Sequence, residues 1–300
     1  MVTDRDIGTG NYYGILLETD GKGGCGMRNN KSIAGKIVRI ILCILFCMFA
    51  AIPIYEALIV SLTPYSHLLE AQLVPHYFEL SNFTSAFGLI AGNVLNSFFY
   101  ACCATVLTTL ISIPAAYVLS RYRFKLRQGM LFILLLTQMM AGIVILPTLY
   151  RMFQSLGILN SRGALVLVLT GINLALVVTI LHGYFSTLPA ELEEAAALDG
   201  CSYIQLLVRV IFPISGPGIA VGAIFVFINS YNEFVVPLFL LSDANKYPLT
   251  LVVYSLLSDT TIRWHIMAAA SLIGIIPPVV IFTFFQKYII QGVTSGAVKG

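Results

Sequence analysis

Six long apolar runs, at about 37–62, 94–119, 130–149, 164–181, 216–240 and 266–285, constrain this chain more than any other feature. A helix needs about 20 such residues to cross the hydrocarbon core of a bilayer. In that core every backbone polar group must be paired internally, so spanning segments are helices or closed barrels. Runs of this length, separated by short polar links, predict an all-α polytopic membrane protein with six transmembrane helices. The composition agrees: 58% of residues are hydrophobic and 10% charged, where soluble domains carry about 25% charge. Pro53, Pro114, Gly142 and Pro147 fall inside runs, which membrane helices tolerate because neighbours re-satisfy the freed backbone groups.

Basic residues set the orientation, because Lys and Arg concentrate in cytoplasmic loops. Lys31, Lys36 and Arg39 precede or open the first run, and no further Lys or Arg occurs before Arg121. Loop 63–93 is therefore placed outside. Arg121, Arg123, Lys125 and Arg127 follow the second run and place that turn inside. Alternation then puts the loop around Glu194 and both termini in the cytoplasm. The chain divides into a polar, disordered extension at 1–35, a first helix with its outer loop at 36–93, and a core of five transmembrane helices at 94–300. That core holds a cytoplasmic loop at 186–214.

The cytoplasmic loop has readable helix signals. Pro189 suits a first turn. Glu191, Glu193 and Glu194 sit where the helix dipole favours acids. Ala195, Ala196 and Ala197 are strong helix formers with little bulk. Gly200 suits the left-handed residue that stops a helix. Ser202 and Gln205 form a Ser-x-x-Gln capping box for a second helix, which Pro213 ends. The expected product is a helix–turn–helix outside the bilayer, joined to the fourth and fifth spans. Physically it is either a lever for a cytoplasmic partner or an inter-span loop packed on its own protein.

Charged groups inside spans normally face a cavity or a partner. Glu56 and Glu233 are the two clear cases, with Asn232 adjacent and Asn173 and Asn229 adding amides. Tyr231, Asn232 and Glu233 are candidates for a hydrophilic path that hydrogen-bonds a polyhydroxylated solute. The alternative is hydrogen bonding between helices that holds the bundle together. The six cysteines and four histidines show no metal-ligand spacing or clustering. Nothing resembles a nucleic-acid footprint, because the basic residues cluster at membrane edges.

The segment Glu194-Ala-Ala-x-x-x-Gly200, followed by Val210-x-Phe212-Pro213, resembles the EAA motif of ABC importer permeases. From about residue 96 to the end the chain is similar to the carbohydrate-importer, MalG-like branch. Asn96-Ser97, Ala115-Ala-Tyr117, Tyr231-Asn-Glu-Phe234 and the ending Gln291-Gly-Val-Thr-Ser-Gly-Ala-Val-Lys-Gly300 carry that likeness. Tyr231 stands where that branch usually has Trp. The resemblance implies the type I ABC importer permease architecture. It also implies that Glu194, Ala195, Ala196, Asp199, Gly200 and Pro213 couple the bundle to a separate ATPase.

The implied partners are a second homologous permease, two ATPase subunits, an extracytoplasmic solute-binding protein and the lipid bilayer. The chain has no Gly-x4-Gly-Lys-Ser/Thr phosphate loop, so ATP is expected to bind the partner and this chain to need no cofactor. No catalytic motif is present, and the chain is expected to be a transport subunit of the inner membrane. Two other readings use the same residues: a permease for a non-sugar solute, or an ion-coupled transporter using Glu56 and Glu233.

Overall fold

The structure, a computed structural model, describes residues 27–68, 74–139, 142–257 and 262–297. The chain divides into two units, Met1–Ile54 and Tyr55–Gly300. All regular elements among the described residues are helical. In the first unit the described chain is the beginning of α1 (Met27–Leu62). α1 starts inside the polar extension, whose residues 1–26 lie outside the described residues. Its stretch Gly35–Leu62 is long and apolar enough to cross a membrane, and its large side chains, such as Phe46 and Phe49, are exposed.

The second unit is built on α2 (Ser81–Arg121), a helix of 41 residues. It starts well before the sequence placed it, so part of the expected outer loop is helical. Asn82, Ala86, Ile90, Ser97, Ala101, Ala104 and Thr108 form a buried stripe along it. Three and four residues apart, these positions share one helical face. Ser81, Asn82, Thr84, Ser85 and Asn93 hid its first three turns from a search for apolar runs.

The third run is not one helix. α3 (Arg127–Met139) and α4 (Leu146–Ser155) flank a short 3-10 turn at Gly142–Val144. Pro147 lies in the first turn of α4, where a missing N–H costs nothing. α5 (Arg162–Phe185) is continuous. α6 (Glu191–Leu198) and α7 (Tyr203–Ile214) form the polar loop, and α7 meets α8 (Gly216–Asn232) at a bend of 79°. The fifth run breaks again after Asn232 and resumes as α9 (Val235–Leu240). α10 (Leu249–Ser255) and α11 (Trp264–Ala297) follow. Among the described residues four helices, α1, α2, α5 and α11, are long and apolar enough to span, and α7 with α8 adds a fifth if that bent pair is one span. Six apolar runs therefore correspond to fewer unbroken spans, because two of the runs contain helix breaks.

The core forms where α2 packs on α5 and α8. Tyr100, Ala104, Ala116, Leu165, Val177 and Leu181 are all nearly inaccessible there. A second cluster joins α2 and α8 to α11 through Ala101, Phe227, Tyr231, Ala269 and Ala270. Small residues set the approach. A Cβ on Gly218 would lie 2.6 Å from the Tyr184 ring, and one on Gly222 would lie 3.1 Å from Val177. Gly218 and Gly222 form a Gly-x-x-x-Gly pair, the spacing that lets membrane helices touch closely. Asn173 on α5 donates to Ser230 Oγ (3.3 Å), and Asn229 donates to Asn173 (3.2 Å). These amides tie α5 to α8 and are held by each other.

Candidate functional site

The polar loop folds as its helix signals direct. Glu191, Glu193 and Glu194 occupy the first turn of α6. Ala190 supplies the first accepting carbonyl, to the amides of Glu193 (2.9 Å) and Glu194 (3.2 Å). Pro189 therefore precedes the helix and is not part of its first turn. Gly200 has φ +75°, the left-handed region that an L side chain adopts at a cost of roughly 1–2 kcal/mol. The amide of Cys201 reaches back to the Ala196 carbonyl at 3.0 Å, the wide closing bond of a Schellman stop. Ser202 and Gln205 complete a reciprocal capping box: Gln205 Oε1 accepts from the Ser202 amide at 2.9 Å, and Ser202 Oγ accepts from the Gln205 amide. Residues Leu206–Ile211 of α7 are π-helical. The Phe212 amide bonds Leu207 O, and Pro213 sits in the last turn.

Six residues of the loop carry the resemblance to a coupling motif, and the structure separates them. Glu194, Ala195, Asp199, Gly200 and Pro213 are exposed, whereas Ala196 is 6% exposed and belongs to the core cluster. Beside the exposed set stand Leu198 (90% exposed), Tyr203 (73%) and Ile204 (76%). Three large apolar side chains this open on a loop rich in acids form a patch that solvent alone does not favour. The sequence signal for them was present but weak: apolar residues on a loop that is otherwise acidic or small.

The loop is held to the bundle by a residue that the sequence placed only as an orientation signal. Arg121, the last residue of α2, donates from Nη2 to Leu188 O at 2.9 Å, and its Nε pairs with Glu193 at 2.5 Å. Tyr122 follows it, and a hydrogen bond with Tyr203 raises the Tyr122 phenol above its ordinary value, with burial adding to the effect. Arg127 donates to Leu119 O at 2.6 Å and lies 3.4 Å from His182 Nε2 on α5. The C-terminal end of α2 thus grips α6 and the Leu188 carbonyl ahead of it through Arg121.

The N-terminal half of the same helix grips a second loop. Asn93 and Asn96 on α2 donate to the Tyr247 carbonyl at 2.8 and 3.2 Å, and Asn96 also to Asn245 O at 2.9 Å. Ser97 Oγ accepts from the Leu249 amide, and the Tyr100 hydroxyl donates to Lys246 O, both at 2.8 Å. Lys246 Nζ in turn donates to Asn160 O, and Asn160, at φ 56°, caps the Ser242 and Asp243 amides. The bond from the Asn245 amide, with Lys246 beside it, holds the Asp243 carboxyl below its ordinary value.

The three residues proposed for a solute path have different environments. Tyr231 is 2% exposed; its ring lies parallel to Phe227, and its hydroxyl donates to Gly274 O at 3.1 Å. Asn232 is exposed. It borders, with one edge of Tyr231, a cavity of about 580 Å³ between α8, α10 and α11. Phe234 and Tyr254, with ring centres 4.9 Å apart, form another wall. Glu233 does not line this cavity. Its Oε1 accepts from the amides of Val235 (3.0 Å) and Val236 (3.1 Å), closing the start of α9, while its carbonyl accepts from Thr250. Glu56 is exposed on α1. The described lining of the cavity carries no charged side chain.

A helical membrane bundle with a rigid helix–turn–helix clamped to one end has the build of a transporter's membrane subunit. The crystal structure of a bacterial ABC transporter involved in the import of the acidic polysaccharide alginate shares this fold. The TM-score is 0.73 at 23% identity, over 86% of this chain and 97% of that chain. Residues 84–295 match the family described as binding-protein-dependent transport system inner membrane component, and the chain belongs to that family. The trehalose/maltose transport system permease protein MalG of Thermococcus litoralis is 33% identical over 276 residues, which are 90% of this chain and 99% of that protein. The sulfoquinovosyl glycerol transport system permease protein SmoH of Agrobacterium fabrum is 32% identical over 228 residues, 75% of this chain and 80% of its own. The chain is therefore an ABC importer permease, a non-catalytic inner-membrane subunit that works with an ATPase and a binding protein.

Proposed function

We propose that this permease forms half of the translocation pathway of an ATP-driven carbohydrate importer. A second, homologous permease completes the pathway, and two ATPase subunits dock from the cytoplasm. A sugar-binding protein delivers cargo to the opposite face. Both termini and the α6–α7 loop are cytoplasmic in this arrangement. The observation that carries the reading is the exposed patch of Leu198, Tyr203 and Ile204 beside Glu194, Ala195, Asp199 and Gly200, on a loop fastened to α2 by Arg121. Apolar anchors within a polar rim are how docking surfaces obtain affinity. Pro213 ends the lever at its bend into α8.

Closure of the ATPases pushes this lever, and the bundle switches between inward-open and outward-open arrangements, two packings separated by a small free energy. The cavity beside Asn232 and Tyr231 lies on the solute path in this reading, and Glu233 positions the break in the fifth run that shapes it. Carbohydrate as cargo is supported by the relatives whose names specify trehalose, maltose and a sulfoquinovosyl glycerol. Neutral aromatic and amide walls also suit a polyhydroxylated solute.

The test is native mass spectrometry of the complex drawn from gently solubilised membranes by a tag on this chain. One copy of this chain, one different permease and two ATPase copies is the expected composition. A homo-oligomer without ATPase, recovered also after crosslinking in the intact membrane, refutes the reading.

A further inference from the structure

The turn between α2 and α3 encloses a second cavity, of about 380 Å³, lined by Arg123, Phe124, Lys125, Arg127, Gln128 and Leu131. The proposed function gives this cavity no role. Arg127 uses its guanidinium on Leu119 O and His182. Arg123 and Lys125 are exposed and make no ion pair or hydrogen bond among the described residues. Two unpaired cations and an amide on one concavity form a site for an anion with several oxygens: Arg offers a planar fork of donors and Lys a mobile point charge.

The rest of the site says which anion. The cavity opens beside apolar surface. Leu126 is 72% exposed and Met130 46%, and along α3 Phe132, Ile133 and Leu135 are each more than half exposed. A soluble phosphate has no use for that face, whereas a lipid carries acyl chains alongside its phosphate. The apolar run of α2 ends at Leu119, a few residues before these cations, which is where a spanning segment leaves the hydrocarbon. Basic pockets at that level, between membrane helices, suit anionic head groups.

We propose that this cavity binds the phosphate of an anionic phospholipid, with Arg123, Lys125 and Gln128 as donors and the acyl chains lying on α3. The site touches neither the cargo cavity nor the exposed apolar patch of the α6–α7 loop, so it stands whether or not the cargo is a sugar.

The full-length chain, with whatever subunits accompany it, is delipidated and titrated with phosphatidylglycerol or phosphatidylcholine, and bound lipid is counted by native mass spectrometry. Phosphatidylglycerol is expected to be retained in preference to phosphatidylcholine. The doubly substituted Arg123→Gln, Lys125→Gln protein should bind it roughly 25-fold more weakly, about fivefold for each cation removed. Exchanging the charges in place, Arg123→Lys with Lys125→Arg, should keep binding. Equal retention of both lipids by the unaltered protein overturns the proposal without any variant. So does full displacement of phosphatidylglycerol by inorganic phosphate, which would make the occupant a free anion. If the double variant keeps its lipid but loses its ATPase, the surface belongs to a protein partner and the proposal fails.

Discussion

The Glu233 carboxylate is an acid inside an apolar run that turns out to serve the backbone. It accepts from two amides that would otherwise be unpaired at the start of α9. A glutamine can accept the same bonds, so Glu233→Gln is expected to leave uptake within about twofold, while Glu233→Ala should cost about 1 kcal/mol, the usual loss on removing a side-chain cap. Thermal unfolding of the purified protein, read beside a solute uptake assay, checks both. A large change in solute range for Glu233→Gln would place the carboxylate in the path after all. Sequence could identify Tyr231, Asn232 and Glu233 as unusual but could not assign them. Their orientations follow from a helix break between Asn232 and Phe234, and past such a break the 3.6-residue period no longer tells which side chain faces which way.

At the scale of elements, the polar loop was legible almost in full because its signals are local. A glycine stop and a capping box depend on neighbours within a few residues, and both formed as the sequence indicated. Gly200 has open space around the position a Cβ would take, so its requirement is backbone conformation alone. Gly200→Ala should strain the turn by roughly 1–2 kcal/mol, and Gly200→Asn, which tolerates that region better, by less. In reconstituted complexes the expected order of solute uptake per ATP hydrolysed is Gly above Asn above Ala. Equal coupling in all three would remove the turn's geometry from the mechanism.

The contacts between elements were not legible. Arg121 reads as a topogenic charge until α6 is seen against it, and Asn96 and Ser97 read as a family signature until the loop at 245–249 lies across them. The Gly218 and Gly222 pair was available in the sequence, yet nothing local says which neighbour it admits. Gly218→Ala should drive a methyl group into the Tyr184 ring and cost about 1–3 kcal/mol, as overpacking does. A melting temperature in detergent unchanged from the parent would show that the α5–α8 contact is looser than described.

For the whole molecule, the class was fixed by the amount and length of apolar sequence, which no tertiary detail could reverse. The number of unbroken spans was not, because the Gly142–Val144 turn and the Asn232–Phe234 break interrupt runs that hydropathy averages across. The feature with the widest reach is α2 itself. Its 41 residues rise about 1.5 Å each, so the rod is roughly 60 Å long. In its N-terminal half it carries Asn93, Asn96 and Tyr100 on one loop, and at its C-terminal end it carries Arg121 on the α6–α7 loop.

Pro114 is the proline inside this helix, and a proline removes a backbone bond and permits a bend. Pro114→Ala should stiffen the rod, measured as a narrower distribution of distances between spin labels near its two ends. An unchanged distribution would mean that the helix moves as a straight body already. If the helix moves as a straight body, the two loops hang from a single beam, like pans on one arm, and a load taken at one is passed along α2 to the other.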